Sequence, residues 1–147
     1  MTFFKKNIRV LVIEPAVQRP HFDRAKPNGN LGPAYLVGAL RNHGIEVDYL
    51  DATVGQIGRD LKDTFHRREE MQNGLIRFGM RSEEFPEIFS KYDIIATSSI
   101  FSAQTRMHFE IASIVKSVSK EKTEIFIKQV TKHQGKLKEI EVDQDIT

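Results

Sequence analysis

The chain has 147 residues, of which 39% are hydrophobic and 29% are charged, with a formal net charge of +2 and no cysteine. This composition indicates one globular domain and excludes disulfides, thiolate-bound zinc and iron–sulfur clusters held by this chain. Basic and acidic residues are interleaved throughout, so no basic face favours nucleic-acid binding. The apolar run at residues 10–13 is too short for a signal or membrane segment, and a cytoplasmic location is expected.

The first third of the chain alternates between strand and helix patterns. Residues 8–13 form a nearly continuous apolar run, which is typical of a strand buried in a parallel sheet. Residues 16–31 are rich in proline, asparagine and glycine and predict a long loop. A helix is expected next, capped by Gly32 and ending at Gly44. Its buried stripe consists of Pro33, Leu36, Val37 and Leu40. Residues 45–50 predict the second strand.

The middle of the chain has weaker patterns. Ile57, Leu61 and Phe65 are spaced to share one helical face, which predicts a helix ending near residues 73–74. A second, short helix is expected after a cap at Ser82. It would bury Phe85, Ile88 and Phe89.

The remaining elements complete an α/β pattern. Residues 93–97 and 123–127 predict the third and fourth strands, separated by an amphipathic helix. That helix has a buried stripe of Met107, Ile111, Ile114, Val115 and Val118. Strand–helix alternation predicts a doubly wound parallel sheet, Rossmann-like or flavodoxin-like, with four strands and an incomplete carboxyl-terminal end. The domain would span residues 1–127, followed by a charged tail at residues 128–147.

Ligands of such sheets bind beyond the carboxyl ends of the strands. We call this edge the crest, and the sequence predicts that residues 14–31, 51–56 and 98–104 build it. Glu14 and Asp51 end adjacent strands and could form a carboxylate pair, but Thr97 stands where a receiver-type site would need a third acidic group. Ser98 and Ser99 lack the flanking glycines of a hydrolase elbow.

The histidines and the glycine-rich loop do not indicate a catalytic site. His43 is expected to cap a helix, and His66 and His108 are expected to be solvated. No histidine pair has the spacing of a zinc site. The glycine fingerprint of dinucleotide-binding domains is missing after the first strand. Residues 28–32 could form an anion-binding nest, which is a weak signal.

Three segments together carry a family resemblance. Residues 31–47 read LGPAYLVGALRNHGIEV, residues 51–52 read DA, and residues 92–102 read YDIIATSSIFS. In order and spacing they resemble the cobalamin-binding domain found upstream of radical S-adenosylmethionine domains, over residues 8–127. The resemblance implies that the crest holds a corrin ring. The implied contacts are Asp51, Thr53, Val54, Gly55, Gln56, Ser98, Ser99, Ile100, Phe101 and Gln104.

The chain departs from this family at three places. Thr53 and Gln56 replace the histidine and glycine of the cobalt-ligating D-x-H-x-x-G motif, so no protein histidine ligand to cobalt is expected. Residues 128–132 lack the glycine pair that passes the nucleotide tail, and no cysteines are present for a radical cluster.

The resemblance therefore implies a cobalamin-binding module without catalytic residues of its own, accessory to a separate radical S-adenosylmethionine or methyl-transfer partner. Two alternatives stay open. One is a cofactor-free protein-interaction module that uses an open strand edge, and the other is a nucleotide-binding subunit.

Overall fold

The computed structural model describes residues 7–21, 30–99, 104–118 and 123–128. The α-helices are α1 (Leu31–Asn42), α2 (Phe85–Phe89) and α3 (Thr105–Val118), and 3-10 turns span Leu61–Asp63 and Ser82–Glu84. The strands, in chain order, are β1 (Arg9–Glu14), β2 (Val17–Arg19), β3 (Glu46–Asp51), β4 (Glu69–Glu70), β5 (Ile76–Phe78), β6 (Ile94–Ser99) and β7 (Thr123–Lys128).

The larger sheet confirms the predicted α/β architecture. Its four parallel strands lie in the order β3-β1-β6-β7, and each begins within one residue of its predicted start. This arrangement is compatible with a Rossmann-like fold. Residues 129–147, which include most of the predicted tail and the positions of the missing glycine pair, lie outside the described residues.

The two faces of this sheet are covered by different helices. Val10, Val12 and Val47 point to one face, where they pack with Val37 of α1. Leu11, Ile13 and Ile95 point to the other face and pack with α2 and α3. Alternate residues of β1 are thus buried on opposite faces, which explains why its sequence is apolar without alternation.

The helices confirm most of the predicted stripes. Val37 is the buried centre of α1, and Met107, Ile111 and Val115 are buried on α3. Two predicted caps are wrong. Asn30, not Gly32, caps α1 by accepting a hydrogen bond from the Gly32 amide at 3.1 Å. Ser82 begins the turn before α2, and its hydroxyl donates to Glu110 instead of capping the helix.

A second sheet occupies segments that were predicted as loop and helix. It is antiparallel, with three strands in the order β2-β5-β4, and it has a small core of its own. That core consists of Val17, Phe65, Ile76 and Phe78. The predicted loop at residues 16–31 therefore contains a strand, and its residues 22–29 lie outside the described part.

The helix predicted from Ile57 to residue 74 is wrong. Ile57 is fully exposed, and Gly58 has a φ of +85°, which ends any helical stripe there. Residues 73–74 close a hairpin between β4 and β5, because the Asn73 side chain accepts from the Leu75 amide at 3.1 Å and Gly74 adopts a φ of +78°. The Asn-Gly pair before an apolar run was the available signal for this hairpin.

The helices described here carry no membrane-spanning signal: none combines the length and the apolar composition that crossing a bilayer requires.

Gly79 joins the two sheets. It follows β5 with a φ of +124°, and a β-carbon built on it would lie 2.4 Å from the Ala52 carbonyl oxygen at the end of β3. The next residue, Met80, donates its amide to that same oxygen at 2.7 Å. The small sheet is therefore held against the crest by a backbone contact that only glycine permits.

We expect Gly79→Ala to lower the free energy of unfolding by about 2–4 kcal/mol, because the methyl group would force the strand away from Ala52 and strain the backbone. Gly38→Ala is the matched control. It lies inside α1 with open space around its β-carbon, and we expect a gain of about 1 kcal/mol. Urea denaturation measures both, and equal effects would contradict the packing argument.

Candidate functional site

The register of the parallel strands places two carboxylates side by side at the crest. Glu14 ends β1 and is paired with Asp51 at the end of β3. On the other side of β1, Ile13 is paired with Thr97 of β6. The predicted adjacency of Glu14 and Asp51 is confirmed.

Two neutral side chains donate hydrogen bonds to the Glu14 carboxylate. Asn30 donates to Oε1 at 3.2 Å and the Tyr49 hydroxyl donates to Oε2 at 3.1 Å. Burial raises the pKa of Glu14, and the charge of Asp51 raises it further, against the lowering effect of the two hydrogen bonds. Burial and the two carboxylates also raise the pKa of Tyr49 well above its ordinary value. Burial and the neighbouring Asp51 charge therefore disfavour the ionised form of Glu14.

In the loop after β3, residues 51–56, the Asp51 side chain accepts hydrogen bonds from Thr53. Asp51 Oδ1 accepts from the Thr53 amide at 2.9 Å and from the Thr53 hydroxyl at 2.6 Å. Thr53 is 9% exposed, so its hydroxyl is committed to the loop. Val54 and Gly55 are half-buried, and Gln56 is exposed. Of the predicted contacts in this loop, Gln56 presents the most side chain to solvent.

Residues next to the small sheet hold the 51–56 loop in place through hydrogen bonds that the sequence did not predict. Met80 bonds the Ala52 carbonyl, and the Thr64 hydroxyl donates to the Val54 carbonyl at 2.9 Å. A β-carbon on Gly55, which has a φ of +87°, would lie 3.0 Å from the Thr64 methyl group. These contacts join residues far apart in sequence, and the local pattern contained no signal for them.

The third crest segment begins at the end of β6. Ser98 and Ser99 are its last residues, and Gln104 precedes α3 and is half-buried. The predicted contacts Ile100 and Phe101 lie outside the described residues.

The prediction that His108 is solvated is wrong. His108 is 1% exposed, and its Nδ1 lies 2.8 Å from the Thr97 hydroxyl. Its position next to Met107 and three residues before Ile111 places it at the margin of the buried stripe of α3. Burial lowers its pKa, which keeps the ring neutral at pH 7.

Two other histidines lie as predicted. His43 ends α1, with its Nδ1 2.8 Å from the Ala39 carbonyl oxygen, and His66 is exposed. Within the described ranges, no three histidine or acidic side chains come together as a metal-binding group.

The chemistry of the described crest is that of a hydrogen-bond acceptor. Glu14 and Asp51 present carboxylate oxygens with neutral bonding partners, and Gln56 adds an exposed amide. These two carboxylates attract N–H donors and disfavour an anion placed directly beside them.

Comparison with known proteins identifies no relative: no protein family, no curated protein and no solved structure matches this chain.

We expect Glu14→Gln to stabilise the protein at pH 7 by on the order of 1 kcal/mol, because it removes a desolvated charge beside Asp51 and keeps an acceptor for Tyr49. Because the folded pKa is raised, wild-type Glu14 becomes protonated in both the folded and the unfolded state as pH falls below 4.5, its ordinary value, so the gain should shrink at pH 4. Denaturation at pH 7 and pH 4 measures it, and a pH-independent difference would contradict the electrostatic explanation.

His108→Gln tests the buried histidine. Since the folded pKa is lowered, wild-type stability is complete above the ordinary value of 6.5 and declines as pH falls below it, by at most about 1.4 kcal/mol per pH unit. The variant should lack this decline. Chemical denaturation between pH 7.5 and 5.5 compares the two proteins, and parallel profiles would show that His108 does not titrate between the folded and unfolded states.

Proposed function

We propose that this chain is a corrinoid-binding module without catalytic activity of its own, accessory to a separate radical S-adenosylmethionine or methyl-transfer partner in the cytoplasm. The observation that carries the proposal is the pair of neighbouring carboxylates, Glu14 and Asp51, at the ligand-binding edge of a parallel sheet. Functional sites commonly contain groups that lower stability, so this pair supports a ligand site at the crest.

A corrin suits this surface chemically. Its rim carries amide side chains, whose N–H groups can donate to Glu14 and Asp51, while its flat ring needs a shallow platform. The half-buried Val54 and Gly55 supply such a platform, and the exposed Gln56 amide lies next to it. A nucleotide subunit is less well supported, because its phosphates would approach two carboxylates.

The loop also bears on the cobalt ligand. Thr53 occupies the position of the cobalt-ligating histidine in related motifs, and its hydroxyl is bound to Asp51. The loop therefore fits a corrin that receives no imidazole from this position. Glu14, Asp51 and Gln56 would hold the rim, and a bound corrinoid would supply cobalt–carbon chemistry to the partner's reaction.

The strand order adds support from topology. Counted along the chain, the parallel strands lie in the order 2-1-3-4, which is the beginning of the flavodoxin-like arrangement 2-1-3-4-5. In that arrangement the switch point lies between the first and third parallel strands, here β1 and β6. Glu14 and the pair Ser98–Ser99 end these two strands.

The second candidate is a cofactor-free interaction module. Within the described residues, β7 borders only β6 and forms one edge of the larger sheet. An open edge strand offers backbone groups to another chain. This candidate predicts a folded protein that retains no corrinoid.

The test is titration with hydroxocobalamin, gel filtration and a visible spectrum. We expect retained corrinoid without the spectrum of imidazole ligation. Ser99→Trp should prevent retention, because an indole at the end of β6 would occupy the ring's space. The control, Ser90→Trp, lies after α2 near the opposite edge and should bind normally. No retention by the folded wild-type protein would refute the proposal in favour of the interaction module.

A further inference from the structure

An ion pair between a buried arginine and a half-buried glutamate connects the small sheet to α3. Arg77 of β5 is 3% exposed, and its Nη1 lies 2.8 Å from both carboxylate oxygens of Glu110 on α3. The Ser82 hydroxyl donates to the same carboxylate. The sequence predicted a helix cap at Ser82 but assigned no role to Arg77 or Glu110.

The same guanidinium also reaches the crest loop through one intermediate residue. Arg77 Nε donates to the Met80 carbonyl at 2.8 Å, and the Met80 amide donates to the Ala52 carbonyl at 2.7 Å. Arg67 supports the neighbouring peptide, because its Nη2 donates to the Gly79 carbonyl at 3.0 Å. A continuous path of hydrogen bonds therefore runs from α3 to the loop that follows β3.

A contribution to stability alone does not explain the Arg77–Glu110 ion pair. Burying an arginine and a glutamate costs desolvation, and well-packed apolar side chains commonly replace such pairs without loss of stability. The guanidinium offers something that apolar groups lack: its rigid fork directs one N–H to Glu110 and another to the Met80 carbonyl. It thereby fixes a distance and an orientation between two elements.

We propose that Arg77 is a positioning residue, which holds the 51–56 loop in fixed register with α3 and so with Gln104, which directly precedes this helix. The inference rests on the proposed function for its binding consequence, because the 51–56 loop and Gln104 would contact the same ligand. Its structural consequence, a rigid 51–56 loop, can be measured without any ligand.

The test is the double variant Arg77→Met with Glu110→Leu, in which two apolar side chains replace the pair. We expect it to fold with wild-type stability, while the amides of Val54, Gly55 and Met80 exchange hydrogen about tenfold faster. The dissociation constant for hydroxocobalamin should rise by about tenfold or more. The matched control is Arg9→Met with Glu46→Leu. This partly exposed pair lies at the amino ends of the strands, with Arg9 Nε 3.2 Å from Glu46 Oε1, and its replacement should leave both the exchange rates and the dissociation constant unchanged.

A second variant covers the case in which the double variant does not fold. Arg77→Lys keeps the charge beside Glu110, but its single ammonium lacks the fork that serves Met80 as well, so faster exchange is again expected. Unchanged exchange in a folded variant would overturn the inference. Faster exchange in a protein whose wild type retains no hydroxocobalamin would uphold Arg77 as a positioning residue and refute the proposed corrinoid function.

Discussion

The backbone contact between Gly79 and Ala52 determines how the two sheets share one domain. The Ala52 carbonyl at the end of β3 accepts from Met80, and only a glycine at position 79 allows the chain to come this close. Ala52 is completely buried as a result. The small sheet therefore lies against the crest, and the shape of the 51–56 loop depends on a segment more than twenty residues further along the chain.

Electrostatics distinguishes the crest from the rest of the main sheet. At the amino ends of the strands, Arg9 Nε lies 3.2 Å from Glu46 Oε1, and the Arg9 guanidinium carbon lies 5.0 Å from the Tyr92 ring centroid. The charge of Arg9 is thus compensated in a partly exposed position. At the crest, Glu14 lies beside Asp51, and the groups that bond them are neutral. Opposite charges are thus paired at the amino ends of the strands, whereas like charges lie side by side at their carboxyl ends.

The buried Arg77–Glu110 pair and the exposed Arg9–Glu46 pair illustrate different uses of the same chemistry. An exposed ion pair contributes little to stability, and a buried pair contributes little more than the apolar residues that could replace it. What the buried pair provides is geometry, since Arg77 also bonds the Met80 carbonyl. Rigid support of this kind is what a binding loop needs if its ligand contacts are to be precise.

Elements whose patterns are local could be predicted from the amino-acid sequence. The apolar run of β1, the stripe of α3 around Ile111 and the left-handed residue Gly44 after α1 were all predicted, because each depends on neighbouring side chains or on one backbone conformation. Parallel order then implied that Glu14 and Asp51 meet. The remaining features depend on contacts between segments that are distant in the sequence. A helical spacing at Ile57 competed with the short strands of a hairpin, and His108 was buried by packing against Thr97. The contact of Gly79 with Ala52 likewise joins distant segments, and such contacts leave no periodicity in the sequence, because their free energy arises only when the chain has folded.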